Sequence, residues 1–581
     1  MSRMKFLLVL LTLAIGSFAP QARAQVTVKV VIAGSSGIWQ AMGVGTYKGG
    51  ACPTGSHPGC AHYTNASFNL NDSRPTLLGG AVATDVNNVW IVWDNTTADP
   101  NCATACNVWT YIKVDNTVGA RCYFATPACA INVTTFPAAG NVISTAIWGA
   151  DTVPPAPIQA LFTSPSGVTV NVQAADIRPE DSLFAQCRVN SVKGGGSDGL
   201  NGLGLGTNPS GTCPAFGATL AQLEGTDLVS AYPGSTSTAH NLAFSLSGKD
   251  PFSGQTIPVF SVVAVGAVPM VFMTNREGAL AKVTDASLSE LQQAFSGKNC
   301  TGSVFVGGTA GNIDVYSREP LSGTMNAIEY TAFRLPRAAK TAAYAGLSQE
   351  TGLAGIEPVN AVACTKGGAR YQGIGQGELT KFILNSNTLH GVDGIGYTFF
   401  SYGNVSSVAD SANYGYLTVG SVDPIFQVYG STYDPGQPAI AGAMPSAATL
   451  PAACAGAFPC SESQIWTGGL SFPNVRNGTY RQWSLVRLVT HGATLTAVQA
   501  LVASAQQSAV TTVPDFIPAV KTLTDPGLQL YRSHYTQEGT APNNGIGGAG
   551  DHGGDEGGCI IAAGSTATHV VQREFGCVVG P

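Results

Sequence analysis

Charge is what this sequence has least of. Lys, Arg, Asp and Glu together make 11% of its 581 residues, and 28 basic against 34 acidic residues leave a formal net charge of −6. A nucleic-acid partner is therefore not expected, because grip on a phosphate backbone needs clustered Lys and Arg. Long apolar runs are also scarce. Beyond the first residues, Gly or polar residues interrupt every run before the roughly 20 residues that span a bilayer. Zinc-type spacing is missing too: no CxxC…CxxC pattern occurs, and the eight His are scattered. The acidic stretch Asp551-His552-Gly553-Gly554-Asp555-Glu556, with His534 before it, matches no zinc motif and reads as a solvated loop. A Gly-x-Ser-x-Gly match at Gly195-Gly196-Ser197-Asp198-Gly199 sits inside a Gly-rich loop. It lacks the strand before and helix after that a nucleophile elbow requires. No catalytic residue, metal or cofactor is expected.

What is plentiful is glycine, 71 residues, and proline, 33, which imply many turns and short elements. Residues 1–24 have the pattern of a secretory signal: Arg3 and Lys5, an apolar run from Phe6 to Phe18, then Ala22-Arg23-Ala24. The expected location is the periplasm or outside the cell. The 14 cysteines agree, since in an oxidising compartment near neighbours staple loops. Proximity suggests Cys52/Cys60, Cys102/Cys106, Cys122/Cys129, Cys454/Cys460 and Cys559/Cys577. Cys187 with Cys213, and Cys300 with Cys364, would complete an even set, although spacing alone does not fix connectivity.

Strands alternate with helices, which predicts an α/β architecture. Val26–Ala33, Val168–Gln173, Pro258–Val265, Pro269–Asn275, Asn312–Ser317 and Gly394–Ser401 are strand-like runs. Ser287-Leu288-Ser289-Glu290 is a capping box, and helices are expected over Met325–Phe333, Gly377–Ser386 and Thr494–Ser508. Residues 48–165, rich in Cys, Asn, Thr and Pro, read as a disulfide-stapled insertion for which the residues suggest no chemistry.

Three strand-to-helix turns carry candidate chemistry. In Ser317-Arg318-Glu319-Pro320-Leu321-Ser322-Gly323-Thr324, an Arg fork, two hydroxyls and a glycine precede a helix, a donor set suited to an oxyanion. The plainer alternative is that Ser322 or Thr324 caps the helix while Arg318 pairs with Glu319 or Asp314. Gly34-Ser35-Ser36 repeats the device after the first strand, and could equally be an ordinary turn. Asp176 follows a strand; it would accept a hydrogen bond from a protonated anion or simply cap a helix.

The order Gly/Ser turn, Asp after a strand, then Arg-x-x-x-Ser-Gly-Thr resembles the PstS-like phosphate-binding proteins of ABC transporters. Phe295-Ser296-Gly297-Lys298, Gly394-Ile395-Gly396-Tyr397 and Asn477-Gly478-Thr479-Tyr480 add weaker echoes, so the resemblance covers roughly 25–47 and 168–500. It implies a two-lobed periplasmic-binding-protein fold of type II, lobe 1 being 25–265 with 403–581 and lobe 2 being 266–400, crossed near 262–275 and 394–402. It further implies that Ser35, Ser36, Asp176, Arg318, Ser322, Gly323 and Thr324 line a cleft for phosphate or a similar oxyanion. A monomer delivering its ligand to ABC transporter membrane subunits is then expected; a secreted phosphatase or a matrix protein on the same fold is the alternative. Ala175 stands where the family has Ser. The family's second Gly/Ser loop has no clear counterpart, although Ser164-Pro165-Ser166-Gly167 could stand there, and Arg481 replaces a frequent Pro.

Overall fold

A computed structural model describes residues 25–50, 60–73, 82–94, 102, 105–177, 182, 260–319, 321–333, 349, 361–373, 375–400, 414–422, 424, 472–476, 480–508, 513, 516–519, 530–532, 560–562 and 570–572. The signal segment, the 195–199 match, the 551–556 loop, Asn477-Gly478-Thr479 and seven of the cysteines lie outside them.

The first elements are β1 (Gln25–Gly34), α1 (Trp39–Gly45), β2 (Cys60–Asp72), β3 (Ala83–Asp94), β4 (Ala105–Lys113), α2 (Asn116–Phe124), β5 (Ala130–Asn132), α3 (Ala156–Thr163), β6 (Val168–Thr169) and β7 (Val172–Ala175). Next come β8 (Ser261–Asn275), β9 (Asp285–Ala286), α4 (Leu288–Phe295), β10 (Ile313–Arg318), α5 (Gly323–Ile328), β11 (Val362–Ala363), β12 (Ala369–Gly373), α6 (Gly375–Leu384), α7 (Ser386–His390) and β13 (Asp393–Phe399). β14 (Tyr414–Tyr416), β15 (Thr418–Val419), β16 (Trp483–Thr490), α8 (Thr494–Ser508) and β17 (Ile517–Pro518) follow.

Strands link in the order β11-β12-β10-β13-β8-β16-β7-β1-β4-β3-β2-β5-β6. The β-branched run of β1 is buried on both faces, and its alternate residues divide two apolar clusters. Val30 and Ile32 join one; Val31 and Ala33 join the other. Trp90 and Val92 of β3 oppose Val89, Ile91 and Trp93 in the same way. Such a sheet needs cover on both sides. Met42 of α1 and Val498 and Val502 of α8 pack on the first cluster; Val118 of α2 and Phe162 of α3 pack on the second.

β8 is the strand at which the sheet changes partners. Its first part, Ser261–Pro269, pairs with β16, and its last part, Met270–Thr274, pairs with β13. The change of partner falls at Pro269, which has no N–H to give a ladder. Its carbonyl accepts from Phe400 N at 2.7 Å, while Met270 N donates to Gln482 O at 2.8 Å. One group of strands (β16, β7, β1, β4) therefore lies on one side of this point and another (β13, β10, β12) on the other. The two apolar runs expected to be separate strands are a single strand, because the proline sits where no ladder bond from its nitrogen is needed.

Elsewhere the differences are local. Val168–Gln173 is split into β6 and β7 at Asn171, whose Oδ1 accepts from Val31 N at 2.8 Å as the chain passes from β5 to β1. The helix expected over Met325–Phe333 ends at Ile328 and continues as a π turn. The capping box is formed: Glu290 N donates to Ser287 Oγ at 3.3 Å, and Ser287 N to Glu290 Oε2 at 2.6 Å. Disulfides join Cys102–Cys106, Cys122–Cys129 and Cys300–Cys364, all pairs suggested by the sequence, and Cys60 is disulfide-bonded as well. Among the described residues, no helix is long and apolar enough to cross a membrane.

Candidate functional site

β1, β4 and β7 run parallel, so their C-terminal ends at Gly34, Lys113 and Ala175 share one edge of the sheet. Open α/β sheets bind ligands at such edges. Gly34 turns the chain out of β1 at φ +137°, and an added Cβ would stand 2.1 Å from the Ala174 carbonyl oxygen, so the position favours glycine. Ser35 N then donates to Ala174 O at 3.0 Å, and Ser35 Oγ donates to Asp176 Oδ1. Asp176 N donates to Asn116 Oδ1 at 2.9 Å. The Tyr111 hydroxyl donates to the Ser35 carbonyl; burial, and then the Asp176 carboxylate, push that phenol well above its usual range.

Arg318 arrives from β10 in the other strand group. Its Nε and Nη2 donate to Glu319 Oε2 and Oε1 at 3.0 and 2.8 Å, its Nη2 also to Asp115 Oδ1 at 2.6 Å, and its Nη1 to Gln376 Oε1 at 3.3 Å. Four of the five guanidinium N–H groups thus have partners. The Arg318 and Glu319 side chains are 3% and 2% exposed, so these charges act with little screening. Burial alone would lower the guanidinium pKa; Glu319 and Asp115 outweigh it and raise it. Burial, with Asp115 adding repulsion and Arg318 opposing, holds the Glu319 carboxyl well above the usual range. Asp115 stands at the N-cap of α2, yet its carboxylate makes no cap bond and turns to Arg318.

The two turns also interlock through backbone. Thr117 N donates to Leu321 O at 3.3 Å. A Cβ on Gly323 would lie 2.5 Å from Asp176 Oδ2 and 2.8 Å from Asn116 Cβ, so glycine here permits the close approach. Ser322 Oγ accepts from Met325 N at 3.3 Å and caps α5, and Thr324 is buried within that helix. Both plainer alternatives, the cap at Ser322 and the Arg318–Glu319 pair, are realised. Asp314 instead meets His390 Nδ1 at 2.8 Å.

Beside these contacts opens a cleft of 250 Å³, lined by Ser36, Asp85, Asn87, Asn88, Lys113, Val114, Asp115, Arg318, Gly375, Gln376 and Gly377. Of the seven residues singled out by sequence, Ser36 and Arg318 line it. Ser35, Asp176 and Gly323 pack together next to it, and Ser322 and Thr324 sit in the turn that follows Arg318. Ser164-Pro165-Ser166-Gly167 is elsewhere: its exposed turn leads into β6, near the outer edge of the sheet. The second turn of the site is Lys113–Thr117, after β4. That turn lies inside 48–165, where sequence reasoning finds no chemistry. A usable signal was present, because Asp115-Asn116-Thr117 after the apolar run Trp109–Ile112 is a strand followed by capping residues.

No protein-family model matches the chain, and no curated protein does. Solved structures similar to it include a phosphate-binding protein from Stenotrophomonas maltophilia, 14% identical, covering 84% of this chain and 90% of that one at a TM-score of 0.33. An ABC-type phosphate transport receptor from Vibrio cholerae is 12% identical, with 44% and 70% covered and a TM-score of 0.24. The ancestral soluble variant of the human phosphate binding protein is 12% identical, with 90% and 99% covered and a TM-score of 0.30. Superpositions this partial transfer neither residues nor activity to the chain.

Proposed function

We propose that this chain is an exported solute-binding protein that captures phosphate, or a similar tetrahedral oxyanion, between lobe 1 (25–265 and 403–581) and lobe 2 (266–400). Its ligand would pass to the membrane subunits of an ABC importer, without chemical change. The observation that carries the reading is convergence. Ser35 and Asp176, 141 positions apart, share a hydrogen bond, and Gly323 packs against that Asp. Arg318 and Ser36 line the adjoining cleft. Hydroxyls, a guanidinium and a carboxylate brought together in and beside one cleft suit an anion that carries a proton, since the carboxylate can accept it.

The test is an anion panel on the full chain, read by thermal stabilisation, with a chromogenic phosphate ester included. Phosphate should raise the melting temperature in a saturable way, sulfate should do so far less, and the ester should not turn over. Equal response to every anion would leave only ionic strength as the cause and remove the reading. Turnover that titrates with Arg318 substitution would make the protein a phosphatase.

A further inference from the structure

Lys113 is the last residue of β4 and lines the same cleft as Ser36 and Arg318. Its ammonium lies 5.2 Å from the centroid of the Trp39 ring, on α1. Among the described residues no carboxylate pairs with it. Arg318, by contrast, is held by Glu319 and Asp115, so that cluster has no net positive charge whether or not the raised Glu319 carboxyl keeps its proton. An anion approaching Arg318 alone would meet one remaining N–H and two acidic neighbours. A desolvated oxyanion without a countercharge is strongly disfavoured.

We infer that Lys113, with which no carboxylate among the described residues pairs, supplies the positive charge that holds the oxyanion, while Arg318 fixes the geometry. This rests on the oxyanion reading above. Burial lowers the Lys113 pKa to about 8, because its ammonium sits in a poorly solvated place. The charged groups sharing its cleft are Asp85 of β3, Asp115 after β4 and Arg318 of β10, with Glu319 buried behind Arg318; α6 contributes only the uncharged Gly375, Gln376 and Gly377. The competing view is that Lys113 is a structural staple on Trp39. The two differ in sign. A staple lost lowers stability, whereas a buried charge kept for a ligand destabilises the free protein, so its removal raises stability.

The experiment is calorimetric titration with inorganic phosphate from pH 7 to 9, for the parent, Lys113→Met and Lys113→Arg, with a thermal melt of each. Parent affinity should fall roughly tenfold over that range, because a group of pKa about 8 goes from mostly protonated to mostly neutral. Lys113→Met should bind roughly 30-fold more weakly at pH 7 and melt higher than the parent. Lys113→Arg should lose the alkaline fall, since a guanidinium keeps its proton. If Lys113→Met folds less well, the flat profile of Lys113→Arg still decides. Parent binding that is flat with pH, or undiminished in Lys113→Met, overturns the assignment of Lys113 and leaves the oxyanion reading standing. A parent that binds no phosphate at all overturns both.

Discussion

Two turns meet at the cleft, and they are built alike from the strand groups on either side of β8. After β4 a lysine, Lys113, is followed two residues later by Asp115 at the start of α2. After β10 an arginine, Arg318, is followed by Glu319 and the Ser322-Gly323-Thr324 turn into α5. The environments differ. Arg318 is gripped by carboxylates from both turns, whereas Lys113 faces an indole. A paired guanidinium sets register: it ties β10 to the start of α2 and orients everything after it. An ammonium that no described carboxylate pairs with leaves charge available. Geometry and charge for one ligand can thus come from different residues, and the more conspicuous cation need not be the one that carries net charge.

Breaking the paired side should have the largest effect. Arg318→Met would leave Glu319 and Asp115 facing each other with no cation between them, and losing one partner of a buried pair costs about 3–5 kcal/mol. Denaturant unfolding should show that loss, together with loss of phosphate binding. If stability is unchanged, Arg318 does not hold the two turns together. Gly323→Ala comes next. A methyl 2.5 Å from Asp176 Oδ2 would push the turn off Asp176 and Asn116, at about 1–3 kcal/mol, with weaker ligand binding in parallel. Unchanged unfolding and binding would mean the two turns do not need this approach.

Much of the paired side was legible in the sequence, and the reason is physical. Arg-x-x-x-Ser-Gly-Thr packs a fork of donors, two hydroxyls and a small residue into one turn, a combination with few other uses. β1, β10, β13 and the capped α4 were likewise readable, because apolar periodicity and caps act locally. The partners of Arg318 were only half readable: Glu319 is adjacent in sequence, but Asp115 is 203 positions away and is brought in by the sheet. Lys113 was hidden by its surroundings. Composition marked 48–165 as an insertion, and composition does not show that β4 pairs in parallel with β1 and so ends at the same edge. Pro269, readable in sequence only as the start of an apolar run, marks where one strand changes neighbours.

Smaller effects are expected at Asp176 and in the ligand-free protein. Asp176→Asn should weaken phosphate modestly and narrow its advantage over sulfate, because an amide can offer a donor where a carboxylate meets sulfate lone pair to lone pair. Titration of parent and variant with both anions checks this; an unaltered ratio would take Asp176 out of ligand choice. The smallest effect lies in the ligand-free protein. Lys113 titrates near 8 when folded, below its usual 10.5, so between these values the unfolded chain binds more protons. Stability should therefore rise with pH across that window, its penalty fully present below 8 and relieved towards 10.5. Lys113→Met should remove that slope in pH-dependent unfolding, and an identical slope in the variant would assign it to other groups.

The cleft between the Lys113 and Arg318 turns is proposed to hold one tetrahedral oxyanion. Calorimetric titration of the full chain with inorganic phosphate at neutral pH and low salt tests it most directly. The expected result is saturable binding of one phosphate per chain, with a dissociation constant in the micromolar range or tighter, on the order of −8 kcal/mol. Absence of saturable heat up to millimolar phosphate would mean that this cleft is not an oxyanion site.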